Sequence, residues 1–280
     1  MRGKIVLGFL GLTFALGALA CRAESIRGEN HAISEPQAHA AASATPIATS
    51  VAALAADAIS DAGPHAELPP PLVEQTPVAK DSPASFVRGE TPGVARIVFL
   101  PGLCSNAGAY LWAFNRAAQA HGGVVAIDGD KPCGSATSGF HSFTWDPNLQ
   151  HARIERALAA TSMKAPPDGF TLVGYSAGAS IAEMVHEKWP ELFPRLILIA
   201  PPQDLWIEKL VNAQAVVSMS CSLDVPGRMK SGAKKLGARG VRATYMEMPK
   251  CTHGNIADGE HVMGDAFAWL DTGETGEPGE

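Results

Sequence analysis

The sequence has few aromatic residues and a low proportion of charged ones. Aromatic residues make up 6% of the 280 residues, and neither Trp nor Tyr occurs before Tyr110. Charged residues make up 18%, the net charge is −6, and no dense run of Lys or Arg is present. A nucleic-acid-binding protein is expected to carry such a basic patch, so a nucleic acid is excluded as the partner.

Metal-ligand motifs are missing as well. Neither His-Glu-x-x-His nor Cys-x-x-Cys occurs anywhere in the chain. These spacings are the ones that place zinc ligands on one helix or in one turn. We therefore expect no metal site and no cofactor.

The first 21 residues have the pattern of an export signal. Arg2 and Lys4 precede an uncharged and almost wholly apolar run from Ile5 to Ala20. At about 16 residues, this run is shorter than the roughly 20 that a membrane-spanning helix needs. The pattern predicts that the protein is exported.

The end of this signal leaves two alternatives open. The stretch Ala18-Leu19-Ala20-Cys21 resembles a bacterial lipobox, whose Cys is lipidated, although Leu is usual where Ala18 stands. Lipidation of Cys21 would anchor the protein to a membrane at the periplasmic face or the cell surface. Cleavage of an ordinary signal near Ala20 would instead release it as a secreted protein.

The composition then divides the remaining chain into three parts. Residues 22–92 are rich in Ala, Pro, Ser and Thr and include Pro69-Pro70-Pro71, which predicts a disordered tether. Residues 272–280 are acidic and Gly-rich, which predicts a disordered tail. Residues 93–271 remain as one packed domain of ordinary size.

Within this domain, short apolar runs alternate with helical patterns. Helices are predicted between and after the runs, over residues 107–121, 149–160, 177–189, 205–212, 229–236 and 256–270. Such alternation is typical of an α/β fold with a mostly parallel central sheet and helices on both faces. A functional site is then expected at the carboxyl ends of the strands. The predicted strands are Ile97–Leu100, Val124–Ile127, Phe170–Val173, Leu196–Ile199, Ala215–Met219 and Val241–Met248.

The third of these strands runs directly into Gly174-Tyr175-Ser176-Ala177-Gly178. This is Gly-x-Ser-x-Gly with a strand before it and a helix after it. In that context the serine stands on a sharp turn, and the two glycines remove Cβ atoms that would collide with neighbouring elements. The motif predicts Ser176 as a nucleophile.

On this motif and its setting, residues 94–271 resemble the α/β-hydrolase family. In that family a catalytic His follows the last strand, and His253, in Cys251-Thr252-His253-Gly254, matches that place. The triad acid usually follows the second strand after the one that leads to the nucleophile. Here that is the fifth strand, which implies Asp224. Asp204, after the fourth strand, is the alternative because some members place the acid there.

The resemblance also implies an oxyanion hole made by backbone N–H groups. One donor would be Ala177 and the other Leu103, in the loop Leu100-Pro101-Gly102-Leu103. The family usually has His-Gly where this chain has Pro101-Gly102. Since the donor is the backbone of the next residue, the departure leaves the donor in place.

Cysteines other than Cys21 number four, which by spacing alone permits three pairings. The resemblance places the strands before Cys104 and Cys133 side by side, and likewise those before Cys221 and Cys251. It therefore implies the disulfides Cys104–Cys133 and Cys221–Cys251. The alternative is buried free thiols.

The implied function is an exported serine hydrolase, carboxylesterase- or lipase-like, that cleaves a small-molecule or lipid ester through an acyl-enzyme. The alternatives are cleavage of amides or thioesters, acyl transfer, and a non-catalytic binding module at the cell surface.

Aromatic residues in the loop 134–147 (Phe140, Phe143 and Trp145) either line an acyl pocket or pack that loop onto the core. The short segment after the fourth strand implies only a minimal cap.

Overall fold

The computed structural model describes residues 72–135 and 139–273. The predicted signal, Cys21, most of the tether and most of the acidic tail lie outside these residues. The strands are β1 (Glu74–Thr76), β2 (Ala84–Arg88), β3 (Ile97–Leu100), β4 (Gly123–Ala126), β5 (Lys131–Pro132), β6 (His141–Ser142), β7 (Thr171–Tyr175), β8 (Arg195–Ile199), β9 (Ala215–Cys221) and β10 (Arg242–Met248). The helices are α1 (Ala107–Leu111), α2 (Asn115–Ala120), α3 (Pro147–Thr161), α4 (Ala177–Lys188), α5 (Ile207–Leu210), α6 (Pro226–Gly237) and α7 (Gly259–Asp271).

Eight of the strands form one sheet in the order β1-β2-β4-β3-β7-β8-β9-β10, and β5 and β6 form a small separate hairpin. Strands from β4 to β10 in this order pair in parallel, while β1 and β2 are antiparallel. This is the α/β-hydrolase fold with a mostly parallel sheet, as the sequence predicts. Among the described residues, no helix is long and apolar enough to cross a membrane.

Both faces of the sheet are buried because each strand points alternate side chains to opposite sides. In β3, Val98 and Leu100 belong to the core beneath α3, α4, α5 and α6. Ile97 and Phe99 belong to the opposite core, beneath α1, α2 and α7. This explains why the strands appear in the sequence as continuous apolar runs. Because helices cover both faces, the carboxyl ends of the strands are where a site can be accessible.

The predicted domain boundary at residue 93 is wrong. Strand β1 pairs with β2, and β2 pairs with β4 with Phe86 opposite Val125, so residues 74–88 extend the sheet. The two strands are only three and five residues long, which is too short to show a clear alternation. Pro77 and Pro83 lie between them and gave this stretch the composition of a tether.

Two predicted helices also differ from the structure. The helix expected over residues 107–121 is divided into α1 and α2, because Phe114 has φ −147° and its ring is fully buried. The last helix starts at Gly259 rather than Ile256. A Cβ on Gly259 would lie 2.3 Å from the Ala113 carbonyl oxygen, so α7 begins where it meets the turn between α1 and α2.

A buried ion pair attaches the β1–β2 segment to the domain. Asp81 accepts hydrogen bonds from Arg153 in α3, the shortest at 2.6 and 2.8 Å, and one from Arg156 at 3.0 Å. The side chains of Asp81 and Arg153 are 8% and 2% exposed. Burial raises the pKa of Asp81, but the hydrogen bonds and charge of Arg153 outweigh it and hold that pKa below its ordinary value of 3.8. The pair therefore stabilises the fold above this value, and its contribution is lost as the pH falls through the lowered pKa.

Asp81→Asn is expected to lower the free energy of unfolding by about 3–5 kcal/mol, because it leaves the buried guanidinium of Arg153 with only the more distant carboxylate of Asp130, at 4.0 Å. Urea denaturation of the full chain at neutral pH measures this loss. Glu74→Gln is the control: it removes the exposed Arg88–Glu74 pair, whose side chains are 53% and 47% exposed. That change should cost less than about 1 kcal/mol. Equal effects of the two substitutions would contradict this role for Asp81.

Candidate active site

Ser176 lies at the junction of β7 and α4 in a strained backbone conformation, with φ 51° and ψ −118°. A Cβ on Gly174 would lie 2.4 Å from the Ala179 Cα, and one on Gly178 would lie 2.2 Å from the Leu100 carbonyl oxygen. Backbone atoms cannot move aside as a flexible side chain could, so both positions require glycine. The turn therefore holds the serine at the carboxyl edge of the sheet.

Three side chains from three different strand ends form a continuous chain of hydrogen bonds. His253 Nε2 lies 3.0 Å from Ser176 Oγ, and His253 Nδ1 lies 2.7 Å from Asp224 Oδ2. An ionised carboxylate can only accept, so Nδ1 carries the proton and Nε2 is left to accept from the serine hydroxyl. This is the arrangement in which a histidine can remove the hydroxyl proton during attack.

The other candidate side chains lie elsewhere. Asp204 is exposed and its nearest ionic partner is Lys235, at 3.9 Å. His186 is fully buried in α4, with Nδ1 2.8 Å from the Phe193 carbonyl oxygen. His261 lies on α7 beside Asp265. Of the two possible acids and three downstream histidines, the structure brings only Asp224 and His253 to Ser176.

The loop after β3 lies directly beside the serine. A Cβ on Gly102 would be 3.3 Å from Ser176 Cβ, and Ser105 Oγ donates a hydrogen bond to the Gly102 carbonyl at 2.7 Å. Leu103, the predicted second oxyanion donor, follows Gly102 in this loop and is 64% exposed. Ala177 is the first residue of α4, and the first N–H groups of a helix have no acceptor within the helix.

Two disulfides connect the loops around the site, and they are the pairs that the family resemblance implies. Cys104–Cys133 joins the loop after β3 to the turn between β5 and β6. Cys221–Cys251 joins the end of β9, three residues before Asp224, to the loop that carries His253. The second disulfide thus links the carboxylate and the imidazole through a short covalent path.

Two tyrosines that no sequence motif marks hold the backbone next to His253. The Gly254 N–H donates to Tyr175 Oη at 2.6 Å, while Tyr110 Oη donates to the Gly254 carbonyl at 3.3 Å. Burial raises the pKa of Tyr175 to about 12, so this hydroxyl stays neutral near neutral pH. Tyr175 occupies a variable position of the serine motif, and only the aromatic ring beside the nucleophile could have drawn attention to it.

The aromatic residues of the loop 134–147 serve different purposes. Phe143 is buried in the core and Trp145 is half exposed. Phe140 is also half exposed and lines a cavity beside Tyr110 and Gly254. Among residues 72–135 and 139–273, no group of three or more His, Cys, Asp and Glu side chains could hold a metal ion.

The chain matches the model of a known protein family. The model of the alpha/beta hydrolase family matches residues 97–275. No curated protein sequence matches the chain significantly.

Solved structures with the same fold are distant in sequence. Esterase PE8 is 21% identical, with a TM-score of 0.50, and the match covers 67% of this chain and 96% of that one. Carboxyl esterase 2 of Tuber melanosporum is 10% identical, with a TM-score of 0.52 and coverage of 75% and 89%. The fluorophosphonate-binding serine hydrolase F of Staphylococcus aureus is 12% identical, with a TM-score of 0.50 and coverage of 73% and 98%. At these identities the likeness concerns the fold alone.

Tyr175→Phe is expected to slow the covalent modification of Ser176 by a small fluorophosphonate about tenfold. The His253 loop loses the hydrogen bond from the Gly254 N–H, worth roughly 1–1.5 kcal/mol, and a longer one to the Asn255 carbonyl at 3.5 Å. Mass spectrometry at timed intervals gives the rate. Tyr245→Phe is the control, since its hydroxyl bonds Ser220 and Glu247 rather than this loop. A wild-type rate in folded Tyr175→Phe would show that the tyrosine does not position His253.

Proposed function

The chain belongs to the alpha/beta hydrolase family, and from that premise we propose that it is an exported serine hydrolase that cleaves carboxylic esters through an acyl-enzyme on Ser176. The observation that carries the proposal is the hydrogen-bonded series Ser176–His253–Asp224, with heavy-atom distances of 3.0 and 2.7 Å. A fold used only for binding has no need of this alignment at the strained turn.

In the first half of the reaction, Ser176 Oγ attacks the ester carbonyl carbon while His253 Nε2 takes the hydroxyl proton. Asp224 stabilises the imidazolium that results and keeps the ring in the correct orientation. Negative charge develops on the carbonyl oxygen, and the backbone N–H groups of Ala177 and Leu103 are the donors proposed to bind it. Collapse of this intermediate breaks the bond to the alcohol oxygen, which takes its proton from His253.

In the second half, water replaces the alcohol. His253 removes a proton from the water as its oxygen attacks the acyl carbon, and then returns the proton to Ser176 Oγ as the acid leaves. Water can reach the site for this step, because the His253 side chain is 47% exposed. The one helix between β8 and β9 is α5, of four residues, so it covers little of the site. This access to water favours hydrolysis over acyl transfer to another acceptor.

Export is part of the proposal, and the two disulfides support it. Disulfides persist in oxidising compartments and are rare in the cytosol. The apolar N-terminal run is the other support. The proposal covers both a form anchored through a lipid on Cys21 and a form released after cleavage near Ala20.

Ser176→Ala is expected to lower kcat on p-nitrophenyl esters by at least about a thousandfold, because the attacking oxygen is removed. The release of p-nitrophenolate from esters with acyl chains of C2 to C16 measures it. Ser231→Ala, on the exposed surface of α6, should keep the wild-type rate. If both variants hydrolyse the esters as fast as the wild-type protein, the nucleophile is misassigned.

Asp224→Asn is expected to reduce kcat by about 10³- to 10⁴-fold, because an amide neither holds the required tautomer of His253 nor stabilises its charged form. Asp204→Asn is the matched control and should leave kcat within a factor of two, since Asp204 faces Lys235 and solvent. Steady-state kinetics on one ester compares the two. The reverse ranking would make Asp204 the triad acid.

A further inference from the structure

A cavity of about 390 Å³ lies between the loop after β3 and the loop that carries His253. Phe140 reaches it from a third loop, the one joined to Cys104 through the Cys104–Cys133 disulfide. Its walls are mostly small or apolar. The lining residues are Cys104, Ser105, Asn106, Ala109, Tyr110, Ala113, Phe140, Gly254, Asn255 and Ile256.

Among the described residues, no charged side chain lines this cavity, and its polar side chains already make hydrogen bonds within the protein. Ser105 donates to Gly102, and Asn106 caps α1 by accepting from the Ala109 N–H. Tyr110 donates to the Gly254 carbonyl, and Asn255 donates to Thr252. A charged ligand would find no counter-charge here, whereas a hydrocarbon group would lose little by leaving water.

The cavity adjoins the two loops that flank the reacting atoms. Gly254 directly follows His253, and Cys104 directly follows Leu103, so two of its walls continue from the loops that flank Ser176. Ser176, His253 and Asp224 do not themselves line the recess, so an ester whose carbonyl is held at Ser176 Oγ would reach it through one of its substituents.

We propose that this cavity binds the hydrocarbon part of an uncharged ester of short to medium chain length, and that Ala109 and Ala113 set the length it accepts. The inference rests on the proposed esterase function and adds its substrate class. The volume is near the lower end of the roughly 300–1,000 Å³ typical of ligand pockets, which accommodates a chain of a few carbons. Each methylene that enters the cavity should raise kcat/KM about three- to fourfold, until the cavity is full.

The test fills the cavity from a position that the fold does not need. Ala109 is exposed, so Ala109→Trp places an indole in the recess without disturbing the core. Ala120→Trp makes the same change at an exposed position of α2 outside the cavity. Both variants are compared with the wild-type full chain by kcat/KM and by the rate of Ser176 labelling with a small fluorophosphonate.

The substrates form two series, which distinguish the two parts of an ester. One varies the acyl chain of p-nitrophenyl esters from acetate to palmitate, and the other varies the alkyl chain of acetate esters. Ala109→Trp is expected to lower kcat/KM at least tenfold for the best chain in one series, with acetate hydrolysis and labelling within a factor of three. The series that responds identifies whether the acyl or the alcohol chain enters.

The outcomes separate this inference from the proposed function. If the wild-type protein is labelled and hydrolyses esters, but Ala109→Trp and Ala120→Trp have the same profile in both series, the cavity does not bind substrate and the inference is wrong. If the wild-type protein is neither labelled nor active on any ester, the proposed function fails and the inference falls with it.

Discussion

The close contact between the start of α4 and the end of β3 determines where the reactive serine lies. The backbone of Gly178 approaches the Leu100 and Pro101 carbonyls so closely that a Cβ would lie 2.2–2.3 Å from their oxygens. Such a contact can be made only if the chain turns sharply between β7 and α4. The turn requires Ser176 to adopt a positive φ of 51°. Its side chain therefore projects at the end of the sheet where the loops after β3, β9 and β10 converge.

The base and its carboxylate lie on loops, so their geometry depends on what holds those loops. The imidazole is nearly half exposed. The Cys221–Cys251 disulfide joins the two loops covalently. The Tyr175 hydroxyl accepts a hydrogen bond from the Gly254 N–H, and the Tyr110 hydroxyl donates one to the Gly254 carbonyl. A covalent link and two tyrosine hydroxyls thus hold these loops, and they leave the imidazole accessible to substrate and water.

The sequence alone predicts the fold class, the six central strands and the serine turn, because each leaves a local signal: an apolar run, a glycine at a crowded contact, or a residue at a strand end. It misses β1 and β2, whose few residues are stabilised by long-range pairing with β4 and by the buried Asp81–Arg153 pair. It also misses the break at Phe114 and the roles of Tyr110 and Tyr175. These depend on tertiary contacts between residues far apart in sequence, for which no local pattern exists.

The most direct test of the account is to find the covalent intermediate. The protein is mixed with an excess of a p-nitrophenyl ester, quenched with acid within milliseconds to seconds, digested, and analysed by peptide mass spectrometry. The account predicts the mass of the acyl group on the peptide that contains Ser176, at a level that rises with the initial release of p-nitrophenolate. Rapid ester hydrolysis with an acyl group on a different residue would contradict it.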